Sequence, residues 1–304
     1  MKERRSLFVE GIFFALLGAV CFSTKAIFVK LAYRDTMIDA VSLLALRMIF
    51  SLPFFIGSAY LSSSKSSNVP FTLSQWLWVA FIGCLGYYVS SLLDFIGLQY
   101  VSAGLERLIL FIYPTIVLIM SSALFKTKIK PIQWVALIVT YLGLAFAFFS
   151  EVDFSSDQNK NLVFGSVCIF ICAITYASYI VGSGRLIPVI GASKFNSYAM
   201  SFASAGVLIH YFVNGSFRSL QNFSGTVYLY SFLMAIFGTV IPSYLVAAGM
   251  KRIGSDNIAI IGSIGPVSTI LMAYFLLNEN VSFGQIVGTV FILIGVLLIG
   301  KQKQ

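Results

Sequence analysis

Long apolar stretches alternate with short polar breaks along the whole chain. Ten stretches can be marked, near 8–31, 38–60, 75–98, 103–125, 132–149, 163–182, 194–213, 226–249, 256–277 and 284–300. At 1.5 Å per residue, each is long enough to cross a hydrocarbon core of ~30 Å. The breaks carry loop chemistry, as in the serine-rich run from Ser62 to Pro70 and the polar run from Asp153 to Asn161. No stretch is left over for a separate soluble domain. The pattern predicts an all-α membrane protein of ten transmembrane helices.

Composition agrees. Of 304 residues, 59% are hydrophobic and 10% charged, against about 25% charged in a soluble domain. So few charges cannot hydrate a water-facing surface, whereas a bundle in a lipid bilayer needs only its ends wetted. The first stretch follows Lys2, Arg4 and Arg5 as a signal peptide would. Its apolar run exceeds a signal core of about 7–15 residues, so it is expected to stay as the first span.

Lysine and arginine accumulate in cytoplasmic loops. With the N-terminus inside, the inner set is Lys2, Arg4, Arg5, Lys65, Lys126, Lys128, Lys130, Arg185, Lys194, Lys251, Arg252, Lys301 and Lys303. The outer set is Lys30, Arg34, Lys160 and Arg218. Both termini are therefore expected in the cytoplasm, with the chain multi-pass in the cell inner (plasma) membrane. The net charge of +9 follows from this bias and implies no nucleic-acid partner.

Cys21, Cys84, Cys168 and Cys172 all fall inside spans without C-x-x-C spacing, and His210 is the sole histidine. Neither a metal site nor any cofactor is expected. No G-x-x-x-x-G-K-[ST] loop or H-E-x-x-H motif is present, which argues against ATP as the driving force and against an intramembrane enzyme.

Sliding residues 98–149 by 152 positions lays Pro114 on Pro266, Met120 on Met272, Leu124 on Leu276 and Gly143 on Gly295 without a gap. A slide of 147 lays Gly18-Ala19-Val20-Cys21 on Gly165-Ser166-Val167-Cys168. Five spans per unit would insert the second unit upside down. The aligned loops show the matching charge reversal, since Lys126-Thr127-Lys128-Ile129-Lys130 falls on Asn278-Glu279-Asn280-Val281-Ser282. Two inverted five-helix repeats are expected, over 1–150 and 160–304.

That plan resembles the drug/metabolite transporter superfamily, specifically its EamA-like branch, over essentially the whole chain. The matching features are Leu46-Arg47-Met48-Ile49-Phe50, the stretch from Ser102-Ala103-Gly104 to Tyr113-Pro114, and Gly265-Pro266 followed by Asn278-Glu279. Phe22-Ser23-Thr24-Lys25 departs by placing a charge where the family often has an aromatic followed by small residues. The resemblance implies a secondary transporter, most often an exporter, with a cavity lined by spans 1, 3, 4, 6, 8 and 9. Spans 5 and 10 would be peripheral.

Charges at membrane depth cost about 2.5–3.5 kcal/mol on insertion scales and therefore face a cavity or a partner. Lys25, Arg47, Asp94, Glu106 and Arg107 belong to spans 1 to 4, within roughly 6–12 Å of the outer edge. Three cations against two carboxylates suit a substrate bearing a carboxylate or phosphate, and an amino acid or related zwitterion fits best. The competing readings are an internal network, with Lys25 and Arg107 neutralising Asp94 and Glu106, and snorkelling of Lys25 or Arg47. Tyr87, Ser91 and Asp94 recur at spacings of four and three, a single helical stripe. Tyr113, Tyr176 and Tyr179 are candidate cavity walls. Pro114, and Gly265 with Pro266, are expected to loosen their helices as hinges.

The reading is a carrier that moves a small molecule by alternating access, as exporter or exchanger of a metabolite such as an amino acid. Coupling to a proton or counter-solute is open, and nothing sets an oligomeric state. The alternative is a facilitative channel or uptake permease for a small anionic or zwitterionic solute.

Overall fold

The computed structural model describes residues 2–63, 70–126, 129–152, 159–184, 186–213, 223–262 and 264–300. Much of the predicted loop chemistry (64–69 and 153–158) and several basic residues of the orientation count (Lys65, Lys128, Arg185, Lys301, Lys303, with Arg218 of the outer set) lie outside them. The described residues are all helical or in short connections. In order they form α1 (Lys2–Asp35), α2 (Ala40–Ser63), α3 (Leu73–Gly83), α4 (Ser90–Gly97), α5 (Ala103–Leu110), α6 (Tyr113–Phe125) and α7 (Pro131–Phe149). After these come α8 (Asn159–Ser183), α9 (Ile187–Ile190), α10 (Ala192–Val213), α11 (Gly225–Ala235), α12 (Ile241–Gly262), α13 (Ile264–Met272) and α14 (Phe283–Gly300).

Among the described residues seven helical runs are long and apolar enough to cross a membrane, and Ile264–Leu277 and Phe283–Gly295 are shorter apolar helices. The remaining predicted span, 194–213, coincides with α10, which is 22 residues long but carries Lys194, Asn196 and His210.

Two predicted boundaries differ. The charge pattern makes residues 250–255 a connection between spans eight and nine, yet they lie within α12. Met-Lys-Arg-Ile-Gly-Ser has no proline to stop a helix, and Arg252 stays helical by donating to the Ala248 carbonyl and pairing with Glu10 at 3.5 Å. The fourth predicted span is broken at Phe111 and Ile112, between α5 and α6. Pro114 has no N–H for the Leu110 carbonyl, and it sits in the first turn of α6, where a proline is tolerated. This is the loosening expected there. Its second-half counterparts, Gly265 and Pro266, lie in α13.

Backbone landmarks recur 152 residues apart. π-helical turns interrupt the third and eighth spans at Cys84–Val89 and Ile236–Val240. Lys126 and Asn278 each end a helix in the left-handed conformation, at φ 53° and 56°. Gln133 and Gln285 each reach back to the backbone N–H of the residue before their helix, Lys130 and Ser282. Packing repeats as well. A side chain at Gly143 would meet Gly288 and Ile292, while one at Gly295 would meet Ala136 and Thr140. Adding 152 to 136 and 140 gives 288 and 292, so the α7–α14 contact exchanges with itself, as a two-fold contact must.

Packing also corrects the offset of 147. Gly11 packs on Arg252 and Ile253, and Gly165 on Tyr100 and Val101, again 152 apart. Gly86 lies against Tyr179, and Gly238 against Lys25. The first span therefore matches the sixth with a slide of 154, which pairs Gly11 with Gly165 and Lys25 with Tyr179. The two slides differ by seven residues, nearly two helical turns, so both keep the same face and the apolar pattern cannot separate them.

Helices of the two halves interleave: α1 packs along α12, α2 on α10, α4 on α8 and α7 on α14. Small residues set these approaches, as in other membrane bundles. The outward faces stay apolar, with Trp134, Ile138 and Phe146 on α7 and Ile286, Val290 and Ile294 on α14 all exposed. That peripheral position agrees with the expectation for spans 5 and 10.

Candidate transport site

Lys25 comes from mid-α1, where Gly238 of the second π turn lets the Lys25 backbone approach closely. Its Nζ lies 2.7 Å from Asp94 Oδ2, with the Asp94 side chain 0% exposed and that of Lys25 16%. Glu106 of α5 is likewise buried. Its carboxyl lies near that of Asp94, and no donor of the described residues bonds either Glu106 oxygen. Two carboxyls and one ammonium thus share a water-poor space, an arrangement that is costly unless the groups are compensated.

The two arginines lie to either side. Arg47 of α2 is buried; its Nη2 donates to Ser91 Oγ at 3.2 Å, and its guanidinium lies 5.4 Å from the centre of the Phe95 ring. Its Nε and Nη1 have no hydrogen-bond partner. Arg107 is not within ion-pair distance of Glu106; its Nη2 instead sits where a side chain on Gly265 would be, 2.9 Å from that notional Cβ. Its Nε is also unpartnered. Of the expected internal network, Lys25 does neutralise Asp94, whereas Arg107 turns toward Gly265 of α13. There Ser23 Oγ donates to the Gly265 carbonyl at 3.1 Å, which ties α1 to the start of α13.

The tyrosines form one chain. Tyr113 and Tyr176 meet edge to face with ring centres 5.1 Å apart, Tyr176 stacks on Tyr179 at 6.0 Å, and Tyr87 meets Tyr179 at 4.8 Å. The Tyr87 hydroxyl lies 3.2 Å from that of Tyr179 and donates to Asn196 Oδ1 at 2.9 Å. The expected stripe of Tyr87, Ser91 and Asp94 therefore divides. Ser91 and Asp94 meet Arg47 and Lys25, while Tyr87, inside the first π turn, reaches α8 and α10. The extra residue in such a turn rotates α4 relative to α3, and π turns are common at functional sites.

Sequence reasoning missed several members. Ser90 and Cys172 contact each other at 3.1 Å beside the carboxyls, and Asn196 gave no signal. A cleft of about 520 Å³ between α2, α10 and α12 is lined by Phe54, Gly57, Ser58, Leu61, Ser193 and Tyr244, among others. At the opposite end, Glu151, Glu279 and Gln285 surround Ser102 and Ala103. Gln285 could have been found from the Ser-x-x-Gln capping pattern at 282–285. Among the described residues no group of His, Cys, Asp and Glu has metal-site geometry.

Known proteins share this architecture. The EamA-like transporter family matches residues 9–149 and 163–301. The uncharacterized transporter YcbK of Bacillus subtilis (strain 168) is 31% identical over 288 residues, covering 91% of this chain and 88% of that one. An uncharacterized transporter of Synechocystis, sll1319, is 24% identical and covers 100% of this chain and 97% of its own. One crystal structure superposes with a TM-score of 0.63 at 19% identity, covering 95% of this chain and 96% of the other, a likeness of fold. Matched in both its halves and over nine-tenths of its length, this chain belongs to the EamA-like transporter family.

Proposed function

We propose that the protein is a secondary carrier of a small metabolite with an ionised group, an amino acid or related zwitterion, working as exporter or exchanger by alternating access. The observation that carries this reading is the buried Lys25–Asp94 pair with Glu106 beside it, flanked by Arg47 and Arg107, whose spare N–H groups have no partner among the described residues. Buried donors of that kind cost roughly 1–3 kcal/mol each when unmatched, and a carboxylate arriving between the arginines would satisfy them bidentately. The tyrosine chain would form the wall toward α10. Residues 1–150 and 160–304 would act as two inverted repeats, supported by the 152-residue recurrence of π turns, left-handed caps and the exchanging α7–α14 contact. Their five crossings each, ten in all, with both termini cytoplasmic in the inner membrane, follow from the apolar pattern and the basic bias. Pro114, beside the break between α5 and α6, and Gly265 with Pro266 in α13 would serve as the hinges.

The test is exchange of radiolabelled amino acids into proteoliposomes preloaded with the same solutes, for the intact protein, Lys25→Ala and Glu106→Gln. Saturable exchange lost in both folded variants is the expected result. Flux that does not saturate would favour a channel, and no exchange of any amino acid would discard that substrate class.

A further inference from the structure

At the end of the bundle away from the cleft, the turn between α4 and α5 is clamped by both halves. Lys30 of α1 donates to the Leu98 and Val101 carbonyls at 3.1 and 2.8 Å. From beyond α13, Glu279 accepts the Ala103 N–H on both carboxylate oxygens, at 3.1 and 3.0 Å. Glu151, just past α7, accepts on one oxygen from Ser102 Oγ and from Gln285 Nε2 of α14. Ser150 and Ser282 meet beside it at 2.7 Å. The 152-residue correspondence gives this clamp no copy at the other end, where Gly254 and Ser255 stand for Ser102 and Ala103 and Gly184 stands near the place of Lys30. It is a feature of one face, the outer one in the orientation proposed from the basic bias.

We propose that Glu151 is a proton-binding site within an outer latch, protonated while the latch joins the two halves and deprotonated as it opens. The inference rests on the carrier reading above. Both bonds to Glu151 end on Oε1, so Oε2 can take the proton without breaking either. Among the described residues the charged groups facing it are Glu279 and, across from both, Lys30. Burial pushes the Glu151 carboxyl above its ordinary range; the Ser102 and Gln285 bonds oppose this and the Glu279 charge adds to it. A carboxyl that holds its proton more tightly when latched than when solvated favours the latched form as pH falls and the open form as pH rises. External acid therefore closes this face, the reverse of what breaking a simple salt bridge would do.

The experiment uses the full chain with its four cysteines replaced and spin labels at Tyr100, on the clamped turn, and Phe283, beside Gln285, residues 40% and 82% exposed. Pulsed distance measurements are made in nanodiscs from about pH 5 to about pH 8, above the usual carboxyl value of ~4.3, the side toward which burial moves this group. A single short distance in acid, with a longer population growing as pH rises, is expected. Glu151→Gln, which keeps the acceptor oxygen and carries no charge, should show the short distance throughout. Gln285→Ala should show the long one even in acid. A distance that ignores pH in the parent protein, or still follows it in Glu151→Gln, would overturn the proposal, as would a Gln285→Ala variant that stays short in acid. No cargo is needed, so failure here is distinguishable from failure of the exchange assay.

Discussion

Lys25 Nζ stands 2.7 Å from Asp94 Oδ2, and among the described residues it is the cation at ion-pair distance from a fully buried carboxyl. Removing one member of such a pair leaves the other buried without compensation, at about 3–5 kcal/mol. Lys25→Ala is expected to lower the Tm in detergent strongly. Lys25→Ala with Asp94→Asn should recover most of the loss, because it removes both charges. A double variant no more stable than the single one would show that the pair is not the source of the cost.

Two glycines separate packing from positioning. At Gly86 a methyl group would overlap Tyr179 Cβ, close to the backbone of α8, so Gly86→Ala should destabilise by about 1–3 kcal/mol as overpacking does. At Gly265 the same methyl meets the far end of Arg107, which can swing away. Gly265→Ala should therefore leave thermal stability within ~1 kcal/mol and reduce exchange several-fold by displacing the guanidinium. Gly225, with nothing within 4 Å, is the control for both, read out by thermal melts and by exchange.

Tyr87→Phe deletes the hydroxyl that joins Tyr179 and Asn196. A loss of about 0.5–1.5 kcal/mol is expected for the bond itself. If the tyrosine chain lines the path, the apparent KM for exchange should rise by more than that stability change implies. An unchanged KM would return the chain to packing.

Glu151 offers a prediction with a definite sign. Its carboxyl is raised by burial, so its contribution to stability is fully present below the ordinary carboxyl value and is lost as pH rises through the higher folded value. Glu151→Gln should melt higher than the parent protein at neutral pH, with the difference shrinking in acid. A gap that widens in acid would contradict the burial argument.

Legibility in the sequence differs by element. The third and seventh helical crossings agree with the apolar pattern to within a few residues, because capping residues such as Thr72 and the apolar runs mark them directly. The stretch 250–255 misleads because its charges suggest a loop while nothing in it forbids a helix. The first span's internal match slips by seven residues, since a two-turn slip preserves the helical face. Pro114 announces the break between α5 and α6 because proline removes a hydrogen bond wherever it stands.

Length and polarity, counted residue by residue, are enough to establish a helical membrane bundle with five charged residues inside its first four apolar spans. A bilayer makes them sufficient, because it turns folding along its normal into a one-dimensional problem. Partner choice is a three-dimensional one. That Lys25 takes Asp94, that Arg107 turns to Gly265 instead of Glu106, and that Tyr87 leaves its stripe for Asn196 emerge only from the packed bundle. So does the meeting of Glu151, Glu279 and Gln285 at one turn, with Glu151 and Gln285 brought together from 134 residues apart. Those pairings depend on helix rotation and crossing, which the packing of glycines and the π turns set and which no one-dimensional pattern records.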